Sequence, residues 1–283
     1  MFDTFKNRLE ITGALTTVTA LRISQGRSTE PIGSDLPVIK DALGRPLIPG
    51  SSFKGALRSR LESFLRGIDP NLAEDPANYT SPTKNKQVKD FKDEHKNNDF
   101  ELTQQLLDIT DDIGSLFGTP WIASKFQVRD LTVQPDAWFG QYQERDGVAI
   151  DRDTETAADG KLYDYQVVPA ATPFDFKAVV ENAQDWELGL LMIGLHQFET
   201  EQIPLGGGRS RGLGVVKLEI DKMRWVDVED HPEFLLEYLK KLVRGDETAY
   251  EEAADYKDEW VQKLIDRLNN NISQSSPTQT AQG

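Results

Sequence analysis

The sequence predicts an α+β fold in which one antiparallel sheet is covered by two helices. Three observations predict it. The N-terminal segment alternates over a long stretch, two segments carry apolar stripes at helical spacing, and the resulting order is strand, helix, strand, strand, helix, strand. That order is the split β-α-β arrangement of ferredoxin-like folds, a βαββαβ core.

Each element has its own signal. Leu9 to Ser24 alternates and is rich in Thr, Val and Ile, which suits a strand. A glycine-bearing loop from Gln25 closes on Pro46-Leu47-Ile48-Pro49-Gly50, and Ser51 or Ser52 is expected to cap the first helix. In that helix Phe53, Leu57, Leu61, Phe64 and Leu65 recur at helical spacing, while Lys54, Arg58 and Glu62 line another face. Residues 69–100 are polar and poor in aliphatics, so they read as a surface insertion, part of it mobile, with a short helical stretch near Leu102–Ile109. The second strand is expected over Ala123–Gln134 and the third over Phe174–Val180. Between them Gly147–Pro173 is an excursion in which Asp159-Gly160, ahead of an alternating run, marks a hairpin turn. The second helix starts near Asp185, with Leu188, Leu191, Met192 and Leu195 on one stripe, and the fourth strand spans Val215–Val226. Beyond Asp227 the chain is acidic and helical over Phe234–Val243 and Tyr250–Leu268, and it ends in a polar tail that reads as disordered.

Composition limits the function classes. The 283 residues carry no cysteine, which excludes a disulfide framework and a thiolate zinc site. No apolar run is long enough to span a bilayer, and Met1 to Arg8 lacks the basic-then-apolar layout of a secretory signal, so a cytoplasmic location is expected and no membrane partner. The net charge of −15 opposes a free-standing, non-specific nucleic-acid binder. Residues 1–66, however, hold ten Lys/Arg against six acids, a net +4 that leaves −19 for the rest. A basic N-terminal region in an acidic molecule suits a polyanion on one face and protein partners elsewhere, although acidity for solubility explains the acidic part equally well.

Two segments carry candidate binding chemistry. Ser51, Ser52, Lys54 and Arg58 open the first helix, where free backbone N–H groups and partial positive charge favour phosphate. Cations there oppose the helix dipole, and a bound anion would resolve the conflict; a plainly capped helix is the alternative. The string Gly50-Ser51-Ser52-Phe53-Lys54-Gly55 is not a Walker loop, because Ala56-Leu57 follow the second glycine. In Gly206-Gly207-Gly208-Arg209-Ser210-Arg211-Gly212-Leu213-Gly214, five glycines let backbone approach a polyanion while two guanidinium groups grip it. These glycines follow a helix and precede a strand, the reverse of a dinucleotide-binding loop. His95, His196 and His231 show no metal-ligand spacing, and no paired-aspartate hairpin of a nucleotide cyclase or polymerase palm is present.

Five segments, in order, resemble the repeat-associated mysterious protein (RAMP) superfamily of CRISPR systems. They are Asp35-Leu36-Pro37-Val38-Ile39-Lys40-Asp41, Ile48–Gly55, Leu116-Phe117-Gly118, Gly147–Arg152 and the glycine–arginine loop. Within that superfamily the chain is most similar to the backbone subunit of type III effector complexes. The resemblance implies an RNA-recognition-motif-like domain over 1–230, with an insertion at 69–112 and a projecting thumb at 140–173. An acidic helical extension and tail would then occupy 231–283. It implies that Ser51, Ser52, Lys54, Arg58, Arg152, Gly207, Gly208, Arg209, Ser210 and Arg211 contact RNA, and that the partners are a CRISPR guide RNA, a complementary target RNA and other complex subunits. In cleaving members an aspartate just ahead of the Pro-Val-Ile-Lys-Asp run cuts target RNA with a divalent metal. Asp35 holds that position, which makes it the expected catalytic and Mg²⁺-binding residue. A non-catalytic scaffold in the same complex is the alternative. Some members carry a histidine late in the first strand, where this chain has Arg22.

Overall fold

The computed structural model describes residues 4–26, 34–150, 153, 157–229 and 231–275. Its strands are β1 (Asn7–Thr17), β2 (Leu47–Ile48), β3 (Phe126–Val128), β4 (Leu131–Thr132), β5 (Gln143–Ile150), β6 (Ala157–Val167), β7 (Pro173–Glu181), β8 (Val216–Asp227) and β9 (Glu251–Glu252). The helices are α1 (Gly50–Ile68), α2 (Pro76–Tyr79), α3 (Pro82–Glu94), α4 (Asp99–Asp108) and α5 (Asp112–Phe117), followed by α6 (Asp185–Glu199), α7 (Pro232–Arg244) and α8 (Lys257–Ser275).

β1 is central because it alternates. Leu9, Ile11 and Leu15 are fully buried, and the strand pairs antiparallel with β7 on one side and β8 on the other. β3 joins β7 and β9 joins β8, giving the order β3-β7-β1-β8-β9, antiparallel throughout. This α+β arrangement is compatible with the expected ferredoxin-like core, to which β9 adds a short edge. A register shift falls between Thr12 and Gly13, where a Cβ on Gly13 would lie 2.2 Å from the Glu219 carbonyl oxygen. Only glycine fits that bulge.

The helical stripes meet as expected, except that Phe64 of the α1 stripe is exposed. Phe53 of α1 stacks on Phe198 of α6 at 4.3 Å and packs against Phe176 of β7. Gly194 lets α6 approach Leu57 and Leu61 of α1 closely. α8 belongs to the same core: Trp260, Leu264 and Leu268 are buried in it, and the Trp260 carbonyl would sit 2.1 Å from a Cβ on Gly189. The other sheet face is polar. There Glu10 pairs with Arg8 and Arg224, and Arg8 also reaches Glu181.

The structure corrects several boundaries. The first strand leaves the sheet after Thr17 instead of running to Ser24, because Val18 and Thr19 both turn their N–H groups to the Val215 carbonyl. The chain then pairs Leu21 with Val168 and Ser24 with Val38 in isolated bridges. The second strand is split into β3 and β4 at Arg129-Asp130, since Asp130 turns away to accept the Gly50 N–H at 2.8 Å. That carboxylate does the capping expected of Ser51 or Ser52: the helix begins at Gly50 and both serines lie in its first turn. The polar insertion is helical, with Asp75, Ser81 and Asn98 capping α2, α3 and α4 and proline opening the first two. Asp159-Gly160 is not the hairpin turn. Pairing jumps from Val148↔Leu162 to Ile150↔Ala157, so the dipeptide falls in an irregularity within β6. Tyr250 lies outside α8, and β9 and a 3₁₀ turn precede that helix.

Candidate nucleic-acid interface

The glycine–arginine loop is held at both stems. Gly207 donates its N–H to the Arg22 carbonyl at 2.8 Å, and Gly214 donates to the Ala20 carbonyl at 2.9 Å. Gly206 and Gly214 have positive φ, and a Cβ on either would lie 2.1 Å from the Arg22 oxygen or 2.0 Å from the Leu205 oxygen. Between the stems, Gly208 and Gly212 flank a 3₁₀ turn in the left-handed conformation, so that Arg209, Ser210 and Arg211 are exposed at the crest. Arg209 turns its Nε back to the Gly206 carbonyl, and Arg211 reaches the Tyr163 hydroxyl of β6 at 3.3 Å.

Asp35 comes to the same place by another route. Its backbone N–H donates to Asp164 Oδ1 at 3.0 Å, and Leu36 pairs with Tyr165 in a parallel bridge. Gln166 completes the contact by donating its N–H to the Leu36 carbonyl at 3.1 Å. Beneath lies a satellite core of Ala20, Tyr165, Val167 and Leu213, with Leu36 and Tyr163 packed against it. The Arg22 guanidinium sits 4.7 Å over the Tyr165 ring. Thus the segment that follows β1, the Asp35 segment, the hairpin base and the glycine–arginine loop converge on one small apolar cluster. Asp35 itself is half-buried.

Lys54 and Arg58 are turned inward. Lys54 Nζ donates to Ser124 Oγ at 2.6 Å and to the Phe126 carbonyl at 3.1 Å. Arg58 donates to Glu62, to the Gly118 carbonyl and to the Tyr79 hydroxyl, which in turn donates to Asp111. The apparent conflict of cations near a helix N-terminus is therefore relieved by protein oxygens. Ser51 is exposed and Ser52 half-buried on the same turn, and Arg152 lies outside the described residues. The Arg58–Tyr79–Asp111 chain ties the insertion to α1, and burial raises the pKa of both Tyr79 and Asp111. The cations of the polar sheet face, Arg8 and Arg224, are likewise ion-paired.

Burial, aided by Arg58, lowers the Lys54 pKa from 10.5 to about 8. Between those pH values the unfolded chain holds a proton that the folded chain has released, so stability rises with pH across the interval. We expect wild type to gain stability relative to Lys54→Met as pH increases from about 8 to 10, followed by urea denaturation at each pH. A difference that is flat or falls with pH would mean that the ammonium is not desolvated.

Among the described residues no group of three or more His, Cys, Asp or Glu could hold a metal ion by itself. Asp35 with Asp164 alongside fits a different donor set. Mg²⁺ ordinarily takes one or two carboxylates and completes its shell with phosphate oxygens and water. Asp35 and Asp164 could offer such an ion that many carboxylates.

An α+β domain thus sets a glycine–arginine loop beside a hairpin and an adjoining carboxylate. A model of the RAMP superfamily matches residues 14–217, and the chain belongs to that superfamily. Three relatives bear the name CRISPR system Cms endoribonuclease Csm3. The chain is 26% identical to the Enterococcus italicus protein over 219 residues, 77% of this chain and 92% of the relative. It is 29% identical to the Methanocaldococcus jannaschii protein over 233 residues, 78% of this chain and 82% of the relative. A Mycobacterium tuberculosis protein of the same name is 48% identical over a shorter stretch of 56 residues, 19% of this chain and 24% of the relative. The resemblance read from the five ordered motifs is to this superfamily and to the type III branch that these relatives represent.

Some working residues carry no local sequence signal. Lys125 and Glu187 form a buried ion pair, and Arg60 faces a groove beside Arg209. Neither belongs to a motif. In α1 the i,i+4 spacing of Arg58, Glu62 and Arg66 could have revealed their ion-pair ladder.

Proposed function

We propose that this chain is a guide-RNA-binding backbone subunit of a type III CRISPR interference complex, and that within the complex it cleaves complementary target RNA at Asp35 with Mg²⁺ or another divalent cation. The observation that carries this reading is the convergence of Asp35, the hairpin base and the glycine–arginine loop on one satellite core. The loop offers exposed Arg209, Ser210 and Arg211 with unhindered backbone at Gly207 for the guide. The β5–β6 hairpin would be the element that parts guide from target.

The chemistry asked of the protein is small. RNA carries its own nucleophile, the 2′-hydroxyl, and a nucleotide splayed by the hairpin can reach in-line geometry with its phosphate. A divalent ion, when bound, would neutralise charge developing on the phosphate. Asp35 would orient that site, and the Asp164 carboxylate fixes the backbone at Asp35 through its N–H.

The test is cleavage of a labelled complementary RNA by the guide-loaded complex, with Mg²⁺ and with chelator, comparing wild type with Asp35→Ala. The expected result is loss of the Mg²⁺-dependent cuts, with target binding retained. Unchanged cuts in the variant would leave this chain as scaffold and ruler, with catalysis on a neighbouring subunit.

A further inference from the structure

The helix α7 is tied to the rest of the chain along one narrow edge. Tyr238 is buried, stacked on Phe5 at 5.7 Å, and joins the small cluster of Val226, Val228 and Ala249. Around from that edge the helix leaves an apolar seam in solvent. Leu236 is 62% exposed, Leu239 45% and Val243 89%. Their spacing, three residues and then four, is that of a coiled-coil seam, and on a helix it points well away from Tyr238. Apolar surface residues scattered singly need no explanation, but an aligned set of them marks an interface. The helix lies beyond residues 14–217, the span matched by the superfamily model, so the superfamily does not account for its seam.

The charges beside the seam say what covers it. Glu233, 3.2 Å from His231, and Lys240 flank the seam on one side, seven residues apart, and both are exposed. Acid therefore stands near the start of the helix and base near its end. A second α7 laid antiparallel inverts that order. With Leu236 opposite the partner's Leu239, Glu233 comes to face the partner's Lys240, and Lys240 the partner's Glu233. On the other flank Leu235 and Leu242 meet in the same reciprocal way, and Leu242 is 44% exposed. Every contact occurs twice, as a two-fold, self-complementary interface requires. In a parallel pair Lys240 would face the partner's Leu235, and both charges would go unanswered. Opposed helix dipoles favour the antiparallel pair as well.

We propose that α7 is a self-association surface, on which a second copy of this chain docks its own α7 antiparallel across the Leu236–Leu239–Val243 seam. The inference stands apart from the RNA-binding reading. A different protein could offer an apolar face, but nothing would require it to carry the inverse charge order, which this chain supplies by symmetry. A helix of 13 residues on each side falls short of the about 20–30 residues a side of a standard interface, so a dissociation constant in the micromolar range is expected.

The test is sedimentation equilibrium of the full chain without RNA, over a concentration series reaching hundreds of micromolar. Wild type should shift from monomer to dimer across the series. Leu239→Glu should stay monomeric throughout with an unchanged thermal midpoint. Glu233→Lys and Lys240→Glu should each weaken the dimer about ten-fold, because two like-charged contacts replace two ion pairs. Mixed in equal amounts, these two variants should pair with each other at wild-type strength. The double variant Glu233→Lys/Lys240→Glu should do so alone. Should Leu239→Glu unfold, the charge variants decide, because both positions are exposed. A wild type that stays monomeric over the whole series overturns the proposal. So does a dimer that Leu239→Glu leaves intact, which places the interface elsewhere. A mixture no tighter than either charge variant alone overturns it too, since the helices then do not meet antiparallel. None of these outcomes touches the RNA-binding reading, which is tested separately by target cleavage.

Discussion

Replacing Glu187 with alanine is expected to cost about 3–5 kcal/mol of stability, the range for removing one partner of a buried ion pair. Glu187 is 1% exposed and Lys125 6%. Lys125 Nζ donates to both carboxylate oxygens, at 2.8 and 2.5 Å. The same carboxylate accepts the Ser115 hydroxyl and the Gln184 N–H, each at 2.7 Å. One side chain therefore joins α5, the start of β3 and the N-terminus of α6. Alanine would strand an ammonium among apolar neighbours and leave the Ser115 hydroxyl and the Gln184 N–H without acceptors. Urea denaturation should show a lower midpoint with an unchanged slope. The double variant Lys125→Met/Glu187→Leu should recover most of the loss, because it removes both charges together. If Glu187→Ala cost under about 1 kcal/mol, as an exposed pair would, water would have to reach the site.

The second large effect is expected at the stem of the glycine–arginine loop. Gly214→Ala meets two penalties. Its φ of +87° is strained for any residue with a Cβ, and that Cβ would lie 2.0 Å from the Leu205 carbonyl oxygen. The strain alone is of the order of 1–3 kcal/mol, and relieving the overlap must shift the stem that Leu205 and Gly214 close by a backbone hydrogen bond of 2.8 Å. Stability and RNA affinity should fall together. Gly207→Ala is the contrast, since it has neither a positive φ nor an atom within 4 Å of its would-be Cβ. Its melting temperature should be unchanged, while RNA affinity falls if RNA backbone approaches there. A Gly214→Ala protein that melts and binds RNA like wild type would show that the stem tolerates displacement.

Much of the fold was legible because it rests on periodicity. The alternation at Leu9, Ile11 and Leu15 and the helical stripes Phe53–Leu57–Leu61 and Leu188–Leu191–Leu195 report which side of each element is apolar, and all of these residues are buried. The glycine–arginine loop was legible too, because positive-φ positions select glycine whatever surrounds them. The helical insertion was misread for want of apolar stripes: α3 buries no residue, and its helix rests on a capping serine and a leading proline.

Periodicity says that a face is buried but not what it meets, and a charged residue does not announce its partner. The sequence by itself determined the order of strands and helices, the glycine stems and the superfamily motifs. Only the tertiary structure decided that Lys54 and Arg58 face inward to oxygens of residues such as Ser124 and Gly118, and that Lys125 finds Glu187. It also brought Asp35 beside Asp164, and Arg60 across a groove from Arg209. These pairs lie far apart in the chain, and packing of the whole core sets their meeting, so no local pattern could carry it.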